Sequence, residues 1–267
     1  EGDSKVSVDS KLKAVVRRTI EDKDELKDAF EGYSDGLDTY KKIIEDKEED
    51  SEEVWKEVTG DNKYKPINYH LLAYLVRKKF IDIRMFGSAF AVGGFTKAYT
   101  GPIQLNWGYS LNKVELMDSN SIVTIMNDDS STFGKDYRVH YSLLAFNGTI
   151  NKHAAKTTGL TEEDVKEFRK AIWQSIPASP TRSKLNQYPK LYVEIQYKDG
   201  HTNGQFGDLR NYIEAKPKGD KTYKQVRSFK DLEFDASKLK KLISNNSDKI
   251  ESTKVQTSPD LSFSAES

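Results

Sequence analysis

Between residues 160 and 197 the apolar pattern of this chain changes its period from that of a helix to that of a strand. That change limits what the chain can fold into. LTEEDVKEFRKAIWQSI (160–176) reads as a helix: Thr161 is a good N-cap, Asp164 stands three residues on in a capping-box position, and Leu160 is placed to staple against Val165. PKLYVEIQY (189–197) instead alternates, with Leu191, Val193, Ile195 and Tyr197 on one face and Tyr192, Glu194 and Gln196 on the other. A fold that buries both faces needs helices and a sheet together.

The remaining elements narrow the class. A first helix is predicted from an N-cap at Asp9, with Leu12, Val15, Val16, Thr19 and Ile20 at helical spacing. Residues 21–61 have helical composition with Gly32, Gly36 and Gly60 as breaks, and read as two or three surface helices. His70 to Phe80 is again helical. Gly87, Gly93 and Gly94 mark a turn with a close backbone approach. Ile103, Leu105 and Trp107 alternate with Gln104 and Asn106 as in a strand, and the polar stretch 118–136, centred on turn formers, predicts a projecting loop or hairpin before strand-like 137–150. A last helix is predicted over about 231–245, followed by a frayed Ser-, Thr- and Asp-rich tail after Ser247. The order helix, strand region, strand, helix, strand is that of a ferredoxin-like or RRM-like sheet without its first strand, so the expectation is one α+β domain over 1–267, with a helical insertion at 21–80 and a hairpin at 117–140. No fixed-period repeat is visible, which argues against solenoids and propellers.

Charge narrows the function. The chain has 42 basic and 42 acidic residues, but 21–61 holds 17 Asp and Glu against 6 Lys, so the rest carries an excess of 11 positive charges. Such a body can hold a polyanion through phosphate contacts; the alternative is two ordinary solvated surfaces. The 267 residues contain no cysteine, which removes thiolate chemistry and fits a reducing, cytoplasmic setting, and no apolar run approaches the roughly 20 residues of a membrane span. His70, His140, His153 and His201 are scattered without metal-ligand spacing, and neither a phosphate-binding P-loop nor a G-x-S-x-G pattern occurs. No cofactor is therefore expected. Asp128 and Asp129 could serve metal-dependent RNA cleavage, although paired aspartates beside serines are commonly turn formers. The basic stretch Lys11 to Arg18, Arg84 with Phe86, Trp107, Arg138 and TRSK at 181–184 combine cations with aromatic planes, the two parts of a single-strand site. Trp107 and Phe86 could equally belong to the core.

Read in order, SVDSKLKAVVRR (7–18), IDIRMFG (81–87), TGPIQLNWGYSLNKVE (100–115), YSLLAFNGTINKHAAKTTGLTEEDV (141–165) and TRSKLNQYPKLYVEIQYKDG (181–200) resemble segments of the backbone-subunit family of CRISPR Cascade complexes. This is the seventh CRISPR-associated family, and the likeness is closest to its subtype I-B branch; IDIRMFG resembles the family's D-[VI]-R-x-F-G motif. The resemblance implies an RRM-like palm with a β-hairpin thumb at about 117–140, and a non-catalytic subunit that stacks head to tail along a guide RNA (crRNA) beside other Cascade subunits. Target DNA would be read through guide base pairing. It further implies that Lys13, with Ser10, Lys11 and Arg17 as neighbours, meets phosphate, that Arg84, Gly87, Arg182 and Lys184 line the RNA, where Trp107 is a further candidate from its own aromatic plane, and that Phe133, Lys135 and Arg138 of the thumb pack beside bases. The acidic segment should then face away from the RNA path. Relatives from type III complexes suggest the alternative, a metal-dependent endoribonuclease. The family's first strand has no counterpart in EGDSKV, so residues before Glu1 are expected.

Overall fold

The structure is a computed structural model that describes residues 8–92, 95–117, 120–126, 130–181 and 184–264, with side chains described for 13–89, 96–117, 137–181 and 184–264. The chain divides into two units, Glu1–Gln104 with Ile150–Phe168, and Leu105–Thr149 with Arg169–Ser267.

In the first unit, α1 (Val8–Glu21), α2 (Lys23–Ala29), α3 (Ser34–Asp46), α4 (Ser51–Gly60) and α5 (Lys65–Lys79) are followed by the short α6 (Ile81–Phe86). Much of the acidity of 21–61 is explained by how these helices begin. Asp22 accepts from the amides of Asp24 and Glu25 at 3.1 and 3.0 Å, and Asp50 accepts from those of Glu52 and Glu53 at 2.8 and 3.2 Å. The acids in each first turn then face the positive end of the helix dipole. The helices of this segment are not confined to the surface, because their apolar residues are buried. Leu26, Ala29, Phe30, Tyr40, Ile43, Val54, Trp55 and Val58 join Val16 and Ile20 of α1 and Leu71, Leu72, Leu75 and Val76 of α5 in one buried core. The expected break at Gly36 is absent, because this glycine lies inside α3, where a Cβ would stand 2.8 Å from the Tyr33 ring.

The unit continues with the antiparallel pair β1 (Gly87–Val92) and β2 (Phe95–Thr100), in register from Gly87↔Thr100 to Val92↔Phe95, then β3 (Ile103–Leu105). Later in the chain come α7 (Lys152–Thr158), capped by Asn151, and α8 (Glu162–Ala178). The capping box read from the sequence is formed: Asp164 N–H donates to Thr161 Oγ1 at 3.2 Å and Thr161 N–H to Asp164 Oδ2 at 3.0 Å.

In the second unit, β4 (Tyr109–Ser110) pairs with β7 (Leu144–Ala145), and β5 (Asn120–Met126) pairs with β6 (Ser130–Asp136) as an antiparallel hairpin; β8 is Gly148–Ile150. β9 (Leu191–Tyr197) is the strand its alternation predicts. Its Leu191, Val193, Ile195 and Tyr197 pack on a core that includes Leu239 and Ile243. Two expectations fail in the C-terminal part. The helix expected over 231–245 is shorter: Leu232–Asp235 form β11, paired with β10 (Glu214–Pro217), and Asp235 then accepts from Ser237 N–H at 2.8 Å to open α9 (Ser237–Ser244). The tail is not frayed, since Ile250–Thr257 form β12 against β9, and Phe263 is buried. Ile250, Thr253, Val255 and Thr257 are β-branched, and β-branched residues suit a strand.

The architecture is α+β, and among the described residues the sheets are two-stranded pairs.

Candidate nucleic-acid interface

The first helix brings two of the expected cations together. Lys13 and Arg17 are four residues apart and so share one face of α1. Both meet Glu52, in the first turn of α4: Lys13 Nζ donates to Glu52 Oε1 at 2.7 Å, and Arg17 Nη2 donates to Glu52 Oε2. All three side chains stay about a third or more exposed, and Arg17 Nε is buried without a partner. The hydrogen bond from Lys13, with the Arg17 charge beside it, holds the Glu52 carboxyl below the usual carboxylate range. The acidic segment therefore does not turn wholly away from the basic stripe. It delivers one carboxylate onto it. The side chains of Ser10 and Lys11 lie outside the described residues, although both belong to α1.

The D-I-R-M-F-G stretch forms the helix α6, closed by Gly87. Gly87 has φ +72°, and a Cβ there would stand 2.2 Å from the Tyr99 carbonyl oxygen and 2.4 Å from Gly101 N, so the predicted close approach is real. Arg84 is committed on every side. It forks onto Asp164 through Nε at 2.8 Å and Nη2 at 2.7 Å, and its Nη1 donates to the carbonyls of Arg77 and Lys78 at 3.0 and 2.9 Å. Those carbonyls belong to the last turn of α5, so one guanidinium caps α5 and joins it to the start of α8. The same contact holds the Asp164 carboxyl down at about 2. Phe86 is half exposed and meets Phe168 edge-on at 6.1 Å.

In the second unit Trp107 is 89% exposed, so it is no core residue. Its backbone is fixed although its ring is not. Arg210, only 6% exposed, donates from Nη1 to the Trp107 carbonyl at 2.5 Å, stacks 4.0 Å over the Tyr109 ring and is held by Asp208 at 2.7 Å. Sequence reasoning missed Arg210, for which the D-x-R spacing of Asp208 and Arg210 was the available signal, and Glu52, which nothing distinguishes within an acidic run. Lys184 is exposed in a turn after Thr181. Arg182, Asp128 and Asp129 lie outside the described residues. Phe133 and Lys135 occur in β6 opposite Val123 and Ser121, with their side chains likewise outside, and Arg138 is exposed with its carbonyl accepting from Met117 N–H at 2.8 Å. Of the histidines, His70 bonds the Ala29 carbonyl at 2.8 Å and stacks on Phe30 at 5.4 Å, a packing role. Among the described residues no helix is long and apolar enough to cross a membrane.

This is an α+β protein whose first helix carries a two-cation cradle already holding an anionic group. The family follows from comparison: the model for CRISPR-associated protein Cas7 matches residues 1–237, and the chain belongs to that family. It is also 27% identical over 275 residues to a protein of Haloferax volcanii described as CRISPR-associated protein Cas7, a match that covers 94% of this chain and 76% of the relative.

Proposed function

We propose that this chain is a non-catalytic backbone subunit of a type I Cascade complex, closest to subtype I-B, that binds crRNA and repeats head to tail along it. It works in the cytoplasm beside other Cascade subunits and supports pairing of the guide with target DNA in antiviral defence. The observation that carries this reading is the Lys13–Glu52–Arg17 arrangement. A phosphodiester presents two non-bridging oxygens much as a carboxylate does, so two cations one helical turn apart that grip Glu52 can grip a phosphate by the same geometry. Guide binding then exchanges Glu52 for RNA. Within the first unit Arg84 and Gly87 serve the cradle through the backbone they fix; in the second unit Trp107 offers a stacking plane of its own, and Lys184 and Arg182 add charge. The β5–β6 hairpin takes the part of the thumb, on an RRM-like palm.

The experiment is to purify the protein from cells holding a CRISPR array and sequence its RNA. RNA of uniform length with repeat-derived ends, lost in Lys13→Glu, is the expected result; random cellular RNA overturns the reading. Incubation with target RNA and Mg²⁺ is the second arm. Cleavage abolished by Asp128→Ala would show a metal-dependent endoribonuclease instead.

A further inference from the structure

The connection from β10 to β11 carries basic residues at Lys218, Lys221, Lys224, Arg227 and Lys230, every third position. Tyr223, Val226, Phe229 and Leu232 keep the same period out of phase. The two sets part cleanly: Val226, Phe229 and Leu232 are buried in a core with Leu143 and Ala215, whereas all five basic residues are exposed. The backbone explains the separation. Two 3₁₀ turns, Tyr223–Gln225 and Phe229–Asp231, repeat every three residues, and Val226 between them is extended at φ −71°, ψ 124°. Both conformations return a side chain to the same side after about three residues, so a period of three sorts core from solvent.

The loop is also held in shape. Gln225 Oε1 accepts from Thr222 N–H at 2.8 Å, Asp231 Oδ2 accepts from the amides of Arg227 and Ser228 at 3.0 Å, and Lys218 N–H donates to the Asp231 carbonyl at 2.8 Å. Lys221 pairs with Asp231, and Arg227 donates to the carbonyls of Lys224 and Val226. Among the described residues Lys218, Lys224 and Lys230 meet no carboxylate at ion-pair distance, and Lys224 acts only at longer range on Glu115, whose carboxyl is held down chiefly by its hydrogen bond from Lys113.

We propose that this ridge binds the phosphodiester backbone of a nucleic-acid strand, as a second contact argued separately from the α1 cradle. A protein partner is the weaker fit. Protein interfaces centre on apolar and aromatic anchors and are depleted in Lys, and among the described residues 216–231 expose no large apolar side chain. A row of lysines without anchors suits a polyanion, whose affinity comes from counterion release. Guide RNA and the paired target DNA strand share that chemistry.

The test changes Lys218, Lys224 and Lys230 together to Gln in the full chain, since none of these side chains holds the loop. Lys27→Gln, Lys41→Gln and Lys42→Gln form the control, three exposed lysines of the acidic helices with the same change in net charge. Binding of fluorescein-labelled single-stranded RNA is measured across a salt series, and capture of complementary DNA is measured on protein carrying its guide. The ridge variant should lose about tenfold in affinity near 0.1 M salt, and its slope of log K against log salt should fall by about 2, at ~0.7 per lost single-strand phosphate contact. The control should move by less than about threefold. Loss in the RNA arm assigns the ridge to the guide, and loss only in the DNA arm assigns it to the target. Unchanged slopes in both arms, or an equal loss in the control, overturn the proposal. Thermal unfolding checks the fold, and if the triple variant unfolds, Lys224→Gln alone should lower the slope by about 0.7. The guide-RNA reading fails separately, when wild-type protein carries no guide or Lys13→Glu leaves binding intact.

Discussion

Glu52 sits where the proposed reading places a phosphate, and its removal should act on binding far more than on the stability of the free chain. The Lys13 and Arg17 contacts are solvent-accessible, so their loss changes stability little. If the cradle takes RNA as proposed, the carboxylate is a competitor that every entering phosphate must first displace. Glu52→Gln should therefore tighten binding of single-stranded RNA about three- to tenfold and steepen its salt dependence, because cations no longer neutralised internally carry counterions to release. Fluorescence anisotropy over a salt series measures both, and in a Lys13→Gln, Arg17→Gln background the same substitution should do nothing. A gain that persists there would mean that Glu52 acts only through long-range repulsion. Trp107 gives a second residue-level expectation. With its ring 89% exposed, Trp107→Ala should leave unfolding unchanged yet weaken RNA binding by about 1–3 kcal/mol, while Trp107→Phe restores much of the loss. Equal affinity of the Ala and wild-type proteins would remove Trp107 from the interface.

Among the elements, the tie between α5, α6 and α8 has a strength that depends on pH. Asp164, 6% exposed at its side chain, is held at about 2 by Arg84 and the Thr161 cap, against an ordinary value of 3.8. A carboxyl lowered in the folded state stabilises fully above the unfolded value and loses that contribution as pH falls through the folded one. The contribution, on the order of 2 kcal/mol, is therefore present above about pH 4 and lost between about pH 4 and 2. Asp164→Asn should cost about 3 kcal/mol at pH 7, since it leaves Arg84 without its partner, and the gap to wild type should close as pH falls towards 2. Urea midpoints at pH 7, 4 and 2.5 measure this; a gap constant with pH would show that packing dominates. The same tie marks how far the sequence could be read. The capping box of α8 and the alternation of β9 involve neighbours in the chain, so spacing alone revealed them. The bond from Arg84 to Asp164 left no trace in the spacing because the partners lie 80 residues apart, and Glu52 went unnoticed because its partners are 39 and 35 residues away. The Ser- and Thr-rich stretch of β12 read as a frayed tail because a strand made by pairing with β9 carries only a weak local signal. The acidic helices read as surface because charge density hid the apolar stripe of Tyr40, Ile43, Val54 and Val58.

For the whole molecule, an equal count of acids and bases describes two different arrangements of charge. In the first unit acids and bases meet directly: Glu25 with Lys79, Asp28 with Lys78 and Glu52 with Lys13 and Arg17. The second has direct pairs as well, Arg210 with Asp208, Lys190 with Asp260 and Lys221 with Asp231, but there Lys218, Lys224 and Lys230 of one exposed loop meet no carboxylate at ion-pair distance among the described residues. A chain built this way has little electrostatic reason to attract another copy of itself through its compensated parts, but a polyanion can hold several copies by the uncompensated ones. If the subunits repeat along the guide as proposed, RNA length rather than protein concentration sets their number. Native mass spectrometry with guides lengthened in steps should then show complexes that grow by one chain mass per fixed increment of nucleotides, with intermediate lengths giving no fractional species. The steps should collapse to mixed, smaller assemblies as salt is raised from 0.1 to about 0.5 M, because each added copy depends on several phosphate contacts and the loss compounds with their number. Growth that continues with protein concentration on a guide of fixed length would show contacts between copies that do not need RNA, and would place the assembly determinant on the protein surface instead.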